Sequence, residues 1–263
     1  MKKRLLILGG TTESADLATR AIRDFGDRLT VITSLAGRTQ KPGDLPGEVR
    51  CGGFGGAEKL AVYLKESPID WVIDATHPFA ATISTNARIA CDAAGIERLQ
   101  LARPPWKQQP GDRWVELPDM EAVAEALAFV GRRAFITTGA ASLAPLSAFS
   151  SPHSPKMWFL IRLIERPAAP LPLGEEGRDY TLITGKGPFS FVEEAALLAQ
   201  YKINVMVSKM SGGAATRAKL DAARQARIPV LMIARPPSEP GPCLETAIDA
   251  LSWLGARMNS LDL

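Results

Sequence analysis

The stretch LLILGGTTES, residues 5–14, decides the fold, because an apolar run ends there on two glycines and leads into a helix-forming segment. Four consecutive apolar residues are typical of a buried parallel strand. Thr11 and Thr12 are residue types that cap helices, and the apolar positions of residues 12–25 have helical spacing. The stretch therefore predicts a strand, a tight turn and a helix, the unit that opens a Rossmann fold.

Strand and helix patterns alternate along the rest of the chain. Strands are predicted at residues 29–34, 49–51, 71–74, 98–101, 114–117, 134–138, 157–165, 180–184, 205–208 and 229–234. Helices are predicted at residues 57–65, 80–94, 120–130, 189–200, 216–226 and 244–254. The break at Pro104-Pro105 can continue neither element. We therefore expect an α/β protein of two Rossmann-like lobes with parallel sheets and an inter-lobe cleft, divided into residues 1–103 and 104–263. The pattern is compatible with docking of the final helix on either lobe.

Composition and charge exclude several classes of protein. The chain has 263 residues, 46% hydrophobic and 22% charged, and its net charge of +3 comes from dispersed basic residues, which argues against nucleic-acid binding. Cys51, Cys91 and Cys243 are far apart, so neither a metal site nor a disulfide framework is expected. The first apolar run stops at Gly9, shorter than the ~7–15 residues of a signal peptide, and no run approaches the ~20 residues of a membrane span. We expect a cytoplasmic protein without membrane contact.

The turn after the first strand is a candidate anion site. Gly9 and Gly10 permit close approach of the backbone, and Thr11, Thr12 and Glu13 begin a helix whose free N–H groups and dipole favour negative charge. The usual G-x-G-x-x-G pattern is absent, so a tight connection without a ligand is an equally open interpretation.

The end of the second strand favours one kind of dinucleotide. Residues 33–38 read TSLAGR and contain no acid, although NAD-binding folds place Asp or Glu there to hold the ribose hydroxyls. Ser34 and Arg38 instead suit a 2′-phosphate, so a bound dinucleotide is predicted to be NADPH. The alternative is that Arg38 is an ordinary solvated loop residue.

Two further segments extend the candidate cofactor site. The loop CGGFGG, residues 51–56, includes Gly53, Phe54 and Gly55 and could bring backbone close to adenosine, or be only a flexible connection. The segment DATHPFA, residues 74–80, places Thr76, His77 and Pro78 after the fourth strand. His77 is a candidate acid or substrate anchor, and a locally bonded histidine at a helix start is the alternative.

Three turns of the second lobe share one design. Thr138-Gly139, Gly187-Pro188 and the segment SKMSGG, residues 208–213, each follow a strand, and Lys219 lies on the helix after the last. Together they offer hydroxyls, backbone amides and lysines, which suit a ligand with several carboxylates. Each lysine alone is more often a surface charge.

These segments, in this order, resemble the precorrin-6A reductase (cobalt-precorrin-6A reductase) family of cobalamin biosynthesis. The similar pieces are GGTTE at 9–13, SLAGR at 34–38, GGFGG at 52–56, DATHPFA at 74–80, Arg103-Pro104 with Trp106, GPF at 187–189, SKMSGG at 208–213 with Lys219, and Arg235-Pro236. DATHPFA and SKMSGG are the most specific of them.

The resemblance implies an NADPH-dependent reductase that converts precorrin-6A, or its cobalt form, to precorrin-6B by reducing one macrocycle double bond. Residues 1–103 would form the NADPH-binding domain and residues 104–263 the substrate-binding domain. The cofactor residues would be Gly9, Gly10, Thr11, Thr12, Glu13, Ser34, Arg38, Gly53, Phe54, Gly55, Thr76, His77 and Pro78. The tetrapyrrole residues would be Arg103, Thr138, Gly139, Gly187, Pro188, Lys209, Ser211, Gly212, Gly213 and Lys219.

The resemblance leaves some points of the chemistry open. The proton could come from Lys209, from His77 or from water, and the partner would be a small tetrapyrrole, with channelling to neighbouring pathway enzymes. Two other functions are compatible with the residues: an NADP-dependent reductase of another carboxylated substrate, and a non-catalytic two-lobed binding protein for a small anion.

Overall fold

The structure is a computed structural model that describes residues 2–37, 45–151 and 153–259. The chain divides into two compact units, Met1–Pro104 with Pro236–Leu263 (unit 1) and Pro105–Arg235 (unit 2). The strands are β1 (Lys3–Leu8), β2 (Leu29–Leu35), β3 (Glu48–Cys51), β4 (Trp71–Asp74), β5 (Glu97–Leu101), β6 (Trp114–Leu117), β7 (Arg133–Ile136), β8 (Trp158–Leu163), β9 (Tyr180–Thr184), β10 (Val205–Lys209), β11 (Val230–Ile233) and β12 (Cys243–Leu244). The helices are α1 (Thr12–Phe25), α2 (Ala57–Glu66), α3 (Ala81–Ala94), α4 (Met120–Val130), α5 (Phe191–Gln200), α6 (Ala218–Gln225) and α7 (Ala247–Asn259).

Unit 1 is a parallel six-stranded sheet in the order β12-β5-β4-β1-β2-β3, covered by helices on both faces. Side chains alternate across a strand, so Leu5 and Ile7 join the core formed with α1 and α7, while Leu6 and Leu8 join the core formed with α2 and α3. Burial on both faces explains why residues 5–8 of β1 are continuously apolar.

Unit 2 is a second parallel six-stranded sheet, in the order β6-β11-β10-β7-β8-β9. Its core joins residues of α5 and α6, such as Leu198 and Leu220, to Phe135, Met206 and Val230 of the strands. Helix α4 packs on β6, β10 and β11. The prediction of two Rossmann-like lobes with parallel sheets is confirmed.

The end of the chain differs from the sequence-based division, which assigned residues 104–263 to one domain. After Arg235 the chain returns to unit 1, where Cys243–Leu244 pairs with β5. Helix α7 then packs on α1 through its apolar positions, among them Leu251, Leu254 and Met258. Strand β12 was not predicted, because two residues are too few for a periodic pattern.

Helix starts in unit 2 also differ from the prediction. Helix α5 begins at Phe191 rather than residue 189, because Ser190 accepts a hydrogen bond from the Glu193 amide and caps the helix. Short 3-10 turns at Ala140–Ser142 and Ala144–Ser150 fill a segment for which no element was predicted. In the described part of the chain, no helix is both long enough and apolar enough to cross a bilayer.

Candidate functional site

The turn between β1 and α1 holds its backbone close to the end of β2. The Gly9 amide donates to the Ser34 carbonyl at 2.9 Å. A Cβ atom on Gly9 would lie only 2.9 Å from Thr33 Cγ2 and 3.2 Å from Ser14 Oγ, so no larger residue fits. Gly10 has a φ of +107°, a conformation that favours glycine. Both glycines are therefore required by the geometry of the turn.

Thr11 caps α1. Its hydroxyl accepts from the Ser14 amide at 3.1 Å and donates to the Ala75 carbonyl at 2.8 Å, which ties the turn to the end of β4. Among the described residues, none accepts a hydrogen bond from the backbone N–H of Thr12 or Glu13. The helix start therefore keeps two amide donors for an anion, whereas the Thr11 hydroxyl serves the fold.

We predict that Gly9→Ala lowers the free energy of unfolding by about 1–3 kcal/mol, because the added methyl overlaps Thr33 and Ser14. Urea denaturation measures the change. Gly53→Ala is the matched control, since a Cβ there meets no atom within 4 Å. Equal stability of the two variants would contradict the close approach at Gly9.

A shallow surface depression, without room for a ligand in its interior, lies beside this turn at the ends of β1, β4 and β5. Its lining residues are Thr11, Glu13, Thr76, Pro78, Leu101 and Arg103. All except Leu101 were predicted site residues. Glu13 was assigned to the cofactor and Arg103 to the substrate, and the structure joins them in an ion pair of 2.7 Å that is largely shielded from solvent.

The segment DATHPFA is fixed by its own hydrogen bonds. Buried Asp74 accepts from the Thr76 amide at 3.2 Å and from the Thr76 hydroxyl at 2.7 Å. The Phe79 amide donates to His77 Nδ1 at 3.2 Å. This bond orients the imidazole ring within the segment.

A group that the sequence analysis missed lies at the ends of β2 and β3. Arg50 donates to the hydroxyl of buried Ser34 at 3.4 Å and to the Gly53 carbonyl at 3.0 Å, and its guanidinium lies 3.8 Å from the Phe54 ring centroid. A basic residue just before a glycine-rich loop was the available signal. Arg38, the predicted partner of a 2′-phosphate, lies outside the described residues.

In unit 2, the turn after β7 is bound to its neighbours by side chains. Lys219 Nζ donates to Thr137 Oγ1 at 3.0 Å, and Thr137 Oγ1 donates to the Val207 carbonyl at 3.0 Å. Thr138 is buried and accepts from Ser142 Oγ at 2.8 Å, and Ser142 Oγ also reaches the Gly139 carbonyl. These bonds fix the predicted hydroxyls at the carboxyl edge of the sheet.

The loop SKMSGG is fixed by side chains that donate hydrogen bonds to its carbonyl groups. Arg235 donates to the Met210 carbonyl at 2.7 Å and to the Ser211 carbonyl at 2.9 Å, and Trp106 Nε1 donates to the Gly213 carbonyl at 2.8 Å. Gly212 and Gly213 have φ of +67° and +83°, which explains the two glycines. Lys209 is the last residue of β10, at the start of this loop.

The turn at Gly187-Pro188 lies close to the segment between the loop SKMSGG and α6. A Cβ on Gly187 would be 3.5 Å from the Phe189 ring and 3.7 Å from the Ala215 carbonyl. The three turns predicted to form one edge in unit 2 are therefore each fixed at the carboxyl ends of the strands, where parallel sheets place their ligands.

A buried charge cluster lies behind this edge. Arg162 and Glu194 form a bidentate ion pair at 2.7 and 3.1 Å, with only 11% and 2% of their side chains exposed. Lys219 is 5% exposed, and burial, reinforced by the charge of Arg162 and opposed by that of Glu194, lowers its pKa to about 7. Glu194 is engaged by Arg162, while Lys219 donates to the neutral Thr137 hydroxyl, so the protonated form of Lys219 favours an anion in unit 2.

Arg162 and Glu194 were not predicted. A single arginine in the apolar strand WFLIRL was the only signal for the first. Among the described residues, no group of three or more His, Cys, Asp or Glu side chains could hold a metal ion.

The fold and these residues define the class: an α/β protein of two Rossmann-like units, one with a helix start suited to a dinucleotide phosphate and one with a surplus of buried positive charge. The family model described as precorrin-6x reductase CbiJ/CobK matches residues 4–255. The chain belongs to this family of oxidoreductases, and the predicted resemblance is confirmed.

Individual relatives agree with the family match. The precorrin-6A reductase of Rhodococcus erythropolis is 43% identical over 255 residues, covering 96% of this chain and 97% of the relative. The cobalt-precorrin-6A reductase of Salmonella typhimurium is 30% identical over 238 residues, covering 88% and 87%. A solved structure of CobK precorrin-6A reductase is similar with a TM-score of 0.87 and 39% identity, covering 97% and 96% of the two chains.

Proposed function

We propose that this protein catalyses the NADPH-dependent reduction of one macrocycle double bond of precorrin-6A, which gives precorrin-6B, in corrin ring biosynthesis. The observation that carries the proposal is the family match over residues 4–255, supported by relatives that align over nearly the whole of both chains. A reductase of this family needs a nicotinamide cofactor, which supplies the hydride. The work of the protein is to align cofactor and substrate.

Unit 1 has the features that a dinucleotide requires. The unpaired amides of Thr12 and Glu13 suit a pyrophosphate, and the space beside Gly10, where a Cβ would meet no atom within 4 Å, is open to it. At the end of β2, Ser34 occupies the place where an acid would repel a 2′-phosphate, and Arg50 adds positive charge beside it. These residues support NADPH over NADH.

Unit 2 has the features that a polycarboxylate requires. The amide-rich SKMSGG loop and Thr138 lie at the carboxyl edge of the sheet, with the buried Lys219–Arg162–Glu194 cluster behind it, and together they would hold carboxylates of the substrate. Lys209, at the end of β10, is proposed as the proton donor, and His77, whose ring is oriented by the Phe79 amide, is proposed as a positioning residue.

The relatives favour the metal-free substrate. Those named precorrin-6A reductase from Rhodococcus erythropolis and Rhodobacter capsulatus are 43% and 39% identical, whereas the cobalt-precorrin-6A reductase of Salmonella typhimurium is 30% identical. We therefore propose precorrin-6A without cobalt as the preferred substrate.

Anaerobic incubation of the purified protein with precorrin-6A and NADPH tests the function. We expect oxidation of one NADPH for each macrocycle reduced, followed at the nicotinamide absorbance and by a change of the corrinoid spectrum. Parallel reactions with NADH and with cobalt-precorrin-6A test the two preferences. Binding of precorrin-6A without NADPH oxidation would overturn the proposal and favour a non-catalytic binding protein.

A further inference from the structure

Arg50 is held in one orientation at the carboxyl end of β3. Its guanidinium lies 3.8 Å from the centroid of the Phe54 ring and 5.5 Å from that of Tyr63, and these two rings pack against each other at 5.2 Å. Its Nη atoms donate to the carbonyls of Gly52 and Gly53. A stacked face and two loop carbonyls leave the side chain little rotational freedom.

The groups that accept hydrogen bonds from the Arg50 guanidinium are uncharged. Its described hydrogen-bond partners are two carbonyls and the Ser34 hydroxyl, and the acid of the same strand, Glu48, lies near Arg4 instead. In the described part of the chain, no carboxylate forms an ion pair with Arg50. A guanidinium that is preoriented and not neutralised is suited to bind a phosphate, whose oxygens match its planar fork.

The position of Arg50 indicates which phosphate of a bound dinucleotide it would contact. Leu35 pairs with Cys51, and the Gly52 amide donates to the Leu35 carbonyl at 2.9 Å, so the loop after β3 lies directly beside the end of β2. In a Rossmann-like unit the ribose of the adenosine lies at the end of the second strand. The bond from Arg50 to Ser34 marks that place.

We propose that Arg50 determines the specificity for NADPH by binding the 2′-phosphate of its adenosine, with Phe54 and the carbonyls of Gly52 and Gly53 holding the guanidinium in position. This rests on the proposed cofactor of unit 1. Arg50 differs from the residue that the sequence indicated, because it comes from the third strand instead of the loop after the second. It is a binding residue and takes no part in hydride or proton transfer.

A structural role is the alternative, since Arg50 also fastens the glycine-rich loop. Loss of a purely structural arginine would weaken the binding of every adenine nucleotide to the same extent. Loss of an arginine that binds the 2′-phosphate would weaken the binding of only those nucleotides that carry this group. The two roles are therefore distinguished by the ratio of the affinity for a nucleotide with a 2′-phosphate to the affinity for one without it.

Calorimetric titration with adenosine 2′,5′-bisphosphate and with 5′-AMP measures this ratio without precorrin-6A. For the unaltered protein we expect tighter binding of the bisphosphate. Arg50→Met should lower the affinity for the bisphosphate by about 10–100-fold, the value of a charge-assisted bidentate contact. Its affinity for 5′-AMP should stay within about twofold of that of the unaltered protein. Arg50→Lys, which keeps the charge without the fork, should fall between. The proposal would be overturned if Arg50→Met lowered the affinities for both nucleotides equally, or if the unaltered protein bound the two nucleotides with equal affinity.

Arg257→Met is the matched control. Arg257 also stacks on an aromatic ring, 3.9 Å from the Trp253 centroid, and also lies in unit 1, but it pairs with Glu97 at the start of β5. Its removal should leave both affinities unchanged. Thermal unfolding of each variant verifies the fold, and Arg50→Lys carries the test if Arg50→Met does not fold. Because no tetrapyrrole is used, a failed reductase assay and a failed Arg50 test are separate results.

Discussion

Lys219→Met is expected to raise the free energy of unfolding at about pH 7 by roughly 3–5 kcal/mol and to remove most of the reductase activity. Lys219 is 5% exposed, and burial lowers its pKa from the ordinary 10.5 to about 7. In the described part of the chain its single hydrogen-bond partner is the neutral Thr137 hydroxyl, while Glu194 is engaged by Arg162. An apolar side chain of similar length avoids the cost of burying that charge.

The sign of the pH dependence follows from the lowered pKa of Lys219. Below about pH 7 the lysine is protonated in both folded and unfolded protein, so the full cost is present. Between about pH 7 and pH 10.5 the unfolded chain holds a proton that the folded chain has released. Stability should therefore rise with pH in this interval, by up to about 1.4 kcal/mol per pH unit from this group.

Urea denaturation of both proteins at about pH 7 and pH 9 measures the effect, and the difference between them isolates Lys219 from other titrating groups. Lys156→Met, at an exposed lysine of unit 2, is the control and should change stability by less than about 0.5 kcal/mol. A Lys219→Met variant that is less stable than the unaltered protein at pH 7 would show that the buried charge is not costly.

The activity of Lys219→Met tests why such a residue is present. A buried ammonium that lowers stability is typical of a functional site, and the proposed role is to bind a carboxylate of the tetrapyrrole. We expect KM for precorrin-6A to rise by about 10–100-fold, the value of a hydrogen bond to a charged group. KM for NADPH should not change, because the cofactor residues lie in unit 1.

Glu194→Gln is expected to destabilise the protein by about 3–5 kcal/mol. Glu194 is 2% exposed and holds the guanidinium of Arg162 by two hydrogen bonds. Without its carboxylate, Arg162 would remain buried between the rings of Phe135 and Phe189 with no counter-ion and with Lys219 nearby. Urea denaturation at about pH 7 measures the loss.

Two comparisons make the Glu194 prediction specific. The double variant Arg162→Met/Glu194→Met should recover most of the stability, because it removes both charges. Glu176→Gln breaks a bidentate pair with Arg166 whose side chains are 39% and 58% exposed, and it should cost much less stability than Glu194→Gln, because solvent screens the exposed pair. Similar losses for Glu194→Gln and Glu176→Gln would contradict the effect of burial.

Much of the cofactor edge could be predicted because the signals are local. Apolar runs that end on glycine or threonine mark both a strand and its carboxyl end, and these ends meet at one edge of a parallel sheet. For this reason Thr11, Glu13, Thr76, Pro78 and Arg103 were predicted separately and lie around one shallow depression.

By itself the sequence determined the α/β class, the parallel sheets, the turns that carry the candidate ligands and the family. Only the tertiary structure decided which distant residues meet: Arg162 with Glu194, Arg50 with Ser34, Cys243–Leu244 with β5, and α7 with α1. The physical reason is that strand and helix patterns depend on neighbours within a few residues. The partner of a buried charge or of a two-residue strand depends on packing between segments far apart in the chain, which no local pattern records.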